Sequence, residues 1–354
     1  MNDPTRWELR GPVRTLQTRL AEWNPETKDW EPLKIRLVAT FRPDGLLSEI
    51  EHHNLDGSVP REVRIYDDGR LAEYQWWANG ELTRKILHTY DVSGRPVTSV
   101  MIDAQGIERV AERYRYDDNG RKTKVVFLTV PEDGAPSCST SSCGMLYGVE
   151  GSDAAYSAPG ATTSTTTYDE RDLPLEVSFH DVNNSSICRV VFARDQDGRP
   201  QSERMQFERQ ATFFGLANDS GVAIEERESL AQLLPTIFED QTLSLTTYAY
   251  DHEGRRTERI RRMGHLSEAR TIFRYDDHDN PVEEVTEERS RDMRIENGAA
   301  KIDERPFRVQ YVRFEYQYDT HGNWIERIVW QRGELNREEQ RSNIERRTIT
   351  YYAL

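Results

Sequence analysis

The sequence predicts an all-β fold: a long antiparallel meander of hairpin repeats, twisted and curled into an open barrel or partial shell, with one inserted helical segment. Three observations predict it. A Tyr-Asp-x-x-Gly-Arg turn recurs, at Tyr66–Arg70 with one residue fewer, then at Tyr90–Arg95, Tyr116–Arg121 and Tyr250–Arg255, with a late variant at Tyr318–Asn323. Glycines at 45, 57, 69, 80, 94, 106, 120 and 134 stand 12, 12, 11, 14, 12, 14 and 14 residues apart. Between turns, apolar residues alternate with polar ones, as at Ile35, Leu37, Ala39 and Phe41; that period of two marks a half-buried strand.

Removing a turn of about three residues leaves strands of roughly nine to eleven residues, about 30 Å each, and about 15 strands in all. No helix fits between such turns, so neighbouring strands are antiparallel hairpins. The chain reads as a single domain over 1–354 with interruptions at 131–166, 209–241 and 287–306.

Taken in order, a first strand runs from near Leu9 to Trp23, the cluster Pro25–Asp29 turns the chain, and a second strand follows. In each repeat turn the Asp side chain accepts a backbone N–H two residues on. The Gly then takes the left-handed position that closes the loop with a bulge. Where Gly is missing, Asp172 and Asn280 are read as its substitutes, since both residue types tolerate that conformation. Residues 131–166, rich in Ser, Thr, Gly and Ala, read as a flexible loop. Alternation resumes at Leu175–Phe179 and Ile187–Phe192. The 209–241 stretch reads as helical: Asp219 or Ser220 caps it, Leu230, Leu233 and Leu234 form a stripe, and Pro235 ends or kinks it. The 287–306 stretch reads as a polar loop, and Tyr311–Tyr318, Trp324–Trp330 and Thr348–Tyr352 as closing strands.

Composition bounds the function. The net charge of −15 argues against nucleic acid as a partner. No apolar run is long enough for a transmembrane helix, and the N-terminus lacks the basic and apolar regions of a signal peptide. The expectation is a cytoplasmic protein with no membrane span, or an exported one if a leader has been removed. Three cysteines make no disulfide framework, and Cys138 and Cys143 read as two free or oxidised thiols of the 131–166 insert rather than a metal pair. The acidic turns, such as Asp276–Asp279, supply too few converging oxygens for calcium. No cofactor, metal or catalytic signature stands out among the histidines, the glycines or the many carboxylates.

The iterated Tyr-Asp-x-x-Gly-Arg hairpins resemble the YD repeats of Rhs-type and teneurin-type proteins. The opening Leu9-x-Gly11-x-Val13 and the ending Tyr316-x-Tyr318-Asp319-x-x-Gly322-Asn323-Trp324 resemble short, stand-alone bacterial members. The resemblance implies hairpin architecture more than activity. In long relatives such hairpins enclose a toxin, which implies as one alternative an accessory or immunity-type protein of a toxin system.

The residues left for ligand binding are aromatic. Trp76 and Trp77 are adjacent in a strand and point to opposite faces; Tyr74 and Trp76 share a face, as do Trp324, Ile328 and Trp330. Tyr74, Trp76, Trp77, Trp324 and Trp330 are therefore the candidate ligand-binding set, against the plainer reading that they pack across strands. The expected function is non-catalytic binding or scaffolding, with a carbohydrate or protein partner taken by the sheet face or the inserts. An enzyme with a site in the concave sheet face is a further alternative.

Overall fold

The computed structural model describes residues 9–129, 147–148, 155–156, 161–207, 242–296, 299–332 and 339–353. Among these, the strands in chain order begin β1 (Val13–Asn24), β2 (Asp29–Trp30), β3 (Lys34–Phe41), β4 (Leu47–His52), β5 (Arg61–Asp67) and β6 (Arg70–Ala78). Next come β7 (Glu81–Tyr90), β8 (Pro96–Asp103), β9 (Glu108–Tyr116), β10 (Lys122–Thr129) and the short β11 (Tyr147–Gly148) and β12 (Ala155–Tyr156). Then follow β13 (Thr163–Tyr168), β14 (Pro174–His180), β15 (Ser186–Arg194), β16 (Pro200–Phe207), β17 (Thr242–Tyr250) and β18 (Arg256–Met263). The last are β19 (Ser267–Tyr275), β20 (Pro281–Glu296), β21 (Ala299–Glu304), β22 (Arg308–Tyr318), β23 (Trp324–Arg332) and β24 (Gln340–Tyr351).

The all-β antiparallel meander is as expected, and two finer expectations need correction. No described residue is helical; the helix expected over 209–241 falls outside the described residues. The 287–306 stretch is not a loop: β20 runs on through it and pairs with β21, Arg291 facing Glu304 and Glu296 facing Ala299. The 131–166 stretch is not all loop, since β11 pairs with β12 within it and β13 starts at Thr163; Cys138 and Cys143 lie outside the described residues.

The meander is also not open. β1 pairs with β3 on one edge and with β24 on the other, from Val13 opposite Tyr351 to Glu22 opposite Asn343. A strand edge left unpaired is a liability in any sheet, and here the last strand covers the edge of the first.

The chain forms two compact units: residues 1–111, 274–284 and 310–354, and residues 112–273 and 285–309. The first has a core of Leu9, Val13, Leu16, Ala39, Phe41, Leu47 and Ile50, against which Ile349 and Tyr351 pack. The second has Val177, Phe179, Ile187, Cys188, Val190, Phe192, Met205 and Phe207. Cys188, only 1% exposed, is a small apolar residue of that core.

The repeat turns assign a task to every residue of the motif. Asp91 Oδ1 accepts the backbone N–H of Ser93 and of Arg95, each at 2.9 Å, and its Oδ2 accepts Arg95 Nε at 2.8 Å. Asp117 with Arg121, and Asp251 with Arg255, repeat the arrangement. The backbone N–H four residues on holds the Asp91 and Asp117 carboxyls below the usual range. Gly94 closes its turn at φ 81°, and Asp172 at φ 61° replaces glycine as expected. In the Tyr275 turn the left-handed residue is Asp279 rather than Asn280; Asn280 instead occupies the place of the motif arginine. Tyr66–Arg70, one residue shorter, is a different turn, with both Asp68 and Gly69 at positive φ, as a two-residue hairpin loop requires.

Four motif tyrosines serve an earlier hairpin: Tyr66, Tyr90, Tyr168 and Tyr250 donate to the carbonyls of Leu47, Leu71, Lys122 and Pro200, at 2.6–2.9 Å. In the late variant the same bond comes from Tyr316, two residues before the motif Tyr318, to the Pro281 carbonyl at 2.9 Å. Each of these carbonyls belongs to the residue just past an earlier turn. The motif arginine of that earlier turn lies over the same ring: Arg70 over Tyr90, Arg121 over Tyr168 and Arg199 over Tyr250, at 5.9, 5.2 and 5.3 Å from the centroid.

Candidate ligand-binding site

β6 places Tyr74 and Trp76 on one face of the first unit because they stand two residues apart. Register then decides their neighbours. Glu62 and Arg64 of β5 stand opposite Trp76 and Tyr74, and Arg84 and Ile86 of β7 stand opposite the same two residues on the other side. The two rings contact each other at 3.9 Å between centroids, tilted by 47°. Arg64 lies 4.7 Å from the centroid of Tyr74, and Arg84 lies 4.4 Å from that of Trp76.

Glu62 is the hub of this cluster. Its carboxylate accepts the Tyr74 hydroxyl, stands 3.1 Å from His52 Nε2 and meets Arg64 Nη2 at 3.4 Å. Burial, reinforced by the Glu62 hydrogen bond, pushes the Tyr74 hydroxyl well above its ordinary pKa, so it remains a donor. The Arg64 side chain is 14% exposed, and its Nη1 is buried with no hydrogen-bond partner. A buried donor left unmatched is costly.

The other candidates fall elsewhere. Trp77 points to the opposite face, donates Nε1 to Gln75 Oε1 at 2.8 Å and lies under Arg61 at 5.2 Å. Trp324 is 2% exposed and sits between Arg327, at 5.0 Å, and Arg347, at 3.3 Å; it is a core ring, not a platform. Trp330 lies between Arg313 and Arg341, at 4.8 and 5.0 Å. Trp324 and Trp330 do not share a face. Tyr318 pairs with Trp324 while Gln317 pairs with Glu326, so Ile325 is an extra residue. Such a bulge puts residues on its two sides out of step, leaving Trp324 with Arg327 and Trp330 with Ile328.

The structure thus brings Tyr74 and Trp76 together and adds Glu62, Arg64 and Arg84, which residue type alone does not single out. Their signal is their place opposite the two aromatics, and it becomes readable once the hairpin register is fixed. Two rings, two guanidiniums and one carboxylate suit a ring-shaped polyhydroxylated ligand, through stacking and charge-assisted hydrogen bonds. No group of three or more His, Cys, Asp or Glu able to hold a metal occurs among the described residues.

No family model and no curated protein matches the chain. Among solved structures, a porin-like protein from Bacteroides uniformis aligns over 97% of this chain and 99% of its own, with 9% identity and a TM-score of 0.30. A putative outer membrane lipoprotein-sorting protein domain from Vibrio parahaemolyticus aligns over 57% and 82%, with 11% identity and a TM-score of 0.15. The S. aureus protein TarM aligns over 26% of this chain and 18% of its own, with 14% identity and a TM-score of 0.15. At these scores none of them carries a function to this chain.

Two expectations fall at this point. No described helix is long and apolar enough to cross a membrane, but that says nothing about strands. A meander whose last strand pairs with its first follows the closed antiparallel principle by which porin-type barrels cross membranes. The absence of a membrane span, and the cytoplasmic location inferred with it, therefore do not stand.

Proposed function

We infer that the chain is a non-catalytic binding protein that takes a carbohydrate against the Tyr74–Trp76 face. The observation that carries this reading is the tilted Tyr74–Trp76 pair flanked on one face by Arg64, Arg84 and Glu62. A sugar hydroxyl or carboxylate meets the guanidinium of Arg84 or Arg64, while the rings offer an apolar surface to the sugar's C–H face. Glu62, already oriented by Tyr74, His52 and Arg64, accepts further hydroxyl hydrogens. The hairpin unit is of the YD type on this reading, which the Tyr–Asp–Arg interlock between hairpins supports.

A glycan array probed with the full chain tests the reading, followed by titration of any hit against Trp76→Ala and Arg64→Gln. Either variant, with its strand signal retained, is expected to weaken binding about 10- to 100-fold, the worth of one hydrogen bond to a charged group. An empty array with well-folded protein overturns the carbohydrate reading, as does a hit that both variants leave unchanged. A protein captured in pull-down and lost in both variants would replace the sugar with a protein partner.

A further inference from the structure

We propose that the second unit carries a separate site for a small organic oxyanion, between the β18–β19 hairpin and the β20–β21 hairpin. The cavity there has a volume of about 520 Å³, within the usual span for small-molecule sites. Main-chain hydrogen bonds tie its walls together. Arg291 N–H donates to the Leu266 carbonyl at 2.8 Å, and Arg305 N–H donates to the Ser290 carbonyl at 2.9 Å. The turn at Gly264, with φ 49°, is closed by Leu266 N–H on the Met263 carbonyl at 3.0 Å.

The lining supplies the chemistry. Arg262, Arg289, Arg291 and Arg305 face Glu268 and Glu304, a local excess of positive charge in a chain of net charge −15. Two guanidiniums are held in place by carboxylates: Arg262 Nε meets Glu268 Oε2 at 2.6 Å, and Arg291 Nη2 meets Glu304 Oε1 at 3.2 Å. Arg291 Nη1 also donates to the His265 carbonyl at 3.3 Å. A guanidinium has five N–H donors, so these contacts orient the two groups without using them up. Arg289 lies 5.4 Å from the centroid of Phe307, a contact with the ring face that leaves its N–H edge for a ligand. Phe307 is 45% exposed and gives the cavity an apolar wall.

Forked guanidiniums match the two oxygens of a carboxylate or a phosphate, and an exposed ring beside them matches an apolar or planar body. The ligand class is therefore an oxyanion joined to such a body. The placement fits the chain's own pattern. Motif arginines clamp the aspartate of their own turn, whereas this cavity stands at the 287–306 stretch, where the turn repeat is interrupted.

Calorimetric titration of the full chain with phenyl phosphate, phenylacetate and inorganic phosphate tests the site. Saturable binding of at least one organic anion is expected, weakening as salt is raised and exceeding that of inorganic phosphate. Arg289→Gln is expected to lower the affinity about tenfold, and Phe307→Ala to remove the advantage of the organic anions over inorganic phosphate. Both residues are exposed, so both variants should keep their strand signal. The two organic probes separate a phosphate from a carboxylate preference. Trp76→Ala, which disables the carbohydrate face, is expected to leave anion binding unchanged, so the two sites stand or fall separately. Absence of saturable binding by either organic anion overturns the proposal, as does binding unaffected by the Arg289→Gln, Arg305→Gln double variant.

Discussion

Tyr90 donates its hydroxyl at 2.8 Å to the carbonyl of Leu71, 19 residues back, and its ring lies under Arg70. The motif tyrosine is thus a rivet between consecutive hairpins, and its hydrogen bond is separable from its packing. Tyr90→Phe removes the hydroxyl while keeping the ring under Arg70. The expected loss is about 1 kcal/mol, the net worth of one hydrogen bond in a partly exposed site. It should appear as a lower urea midpoint at unchanged slope; a midpoint equal to that of the parent chain would deny the rivet. The motif aspartate and glycine were legible in the sequence because their work is local, within four residues. The carbonyl that Tyr reaches and the ring that Arg covers were not, because they lie in another hairpin and depend on register.

At the scale of the element, one turn couples three parts of the first unit. Tyr351 of β24 donates to the Asp319 carboxylate in the turn between β22 and β23, and Asn323 Nδ2 donates to the Tyr351 oxygen and to the Arg10 carbonyl, each at 2.8 Å. His321 stacks on the Tyr351 ring at 4.0 Å. Burial, then the Asp319 hydrogen bond, pushes the Tyr351 hydroxyl up from 10.0 to about 12. A hydroxyl whose folded pKa exceeds its unfolded one holds its proton more tightly in the folded chain. Its stabilising effect is therefore complete below pH 10 and lost as pH rises toward 12. The margin by which the parent chain exceeds Tyr351→Phe in urea midpoint should shrink over that interval; a constant margin would sever the link. The sequence revealed the strands and most turns around this network through period-two alternation and turn residues. It missed β21 because the large apolar residues of its hairpin, Met293, Ile295 and Ile302, are few and set among charged ones. It misplaced Trp330 relative to Trp324 because one bulge residue, Ile325, reverses the alternation.

For the whole molecule the decisive contact is the seam between β1 and β24, which no local pattern encodes. Each strand mixes polar and apolar residues as an ordinary half-buried strand does, and pairing across more than three hundred residues leaves no mark on spacing. The candidate site was half legible for the same reason: the aromatics stood out by type, whereas Glu62, Arg64 and Arg84 joined them only through strand pairing. The seam offers a direct test. Thr15 and Thr350 are register partners, 335 residues apart in sequence, with hydroxyl oxygens 2.6 Å from each other. In a chain with Cys138 and Cys143 changed to Ser and Cys188 to Ala, the pair Thr15→Cys and Thr350→Cys should oxidise to a disulfide. Non-reducing electrophoresis would report it as a faster-migrating band. Closing so long a loop constrains the unfolded chain, with stabilisation of up to about 5 kcal/mol, so the oxidised form should unfold at higher urea than the reduced form. If β1 and β24 were apart in solution, the two thiols would remain titratable under the same oxidant and the two unfolding curves would coincide.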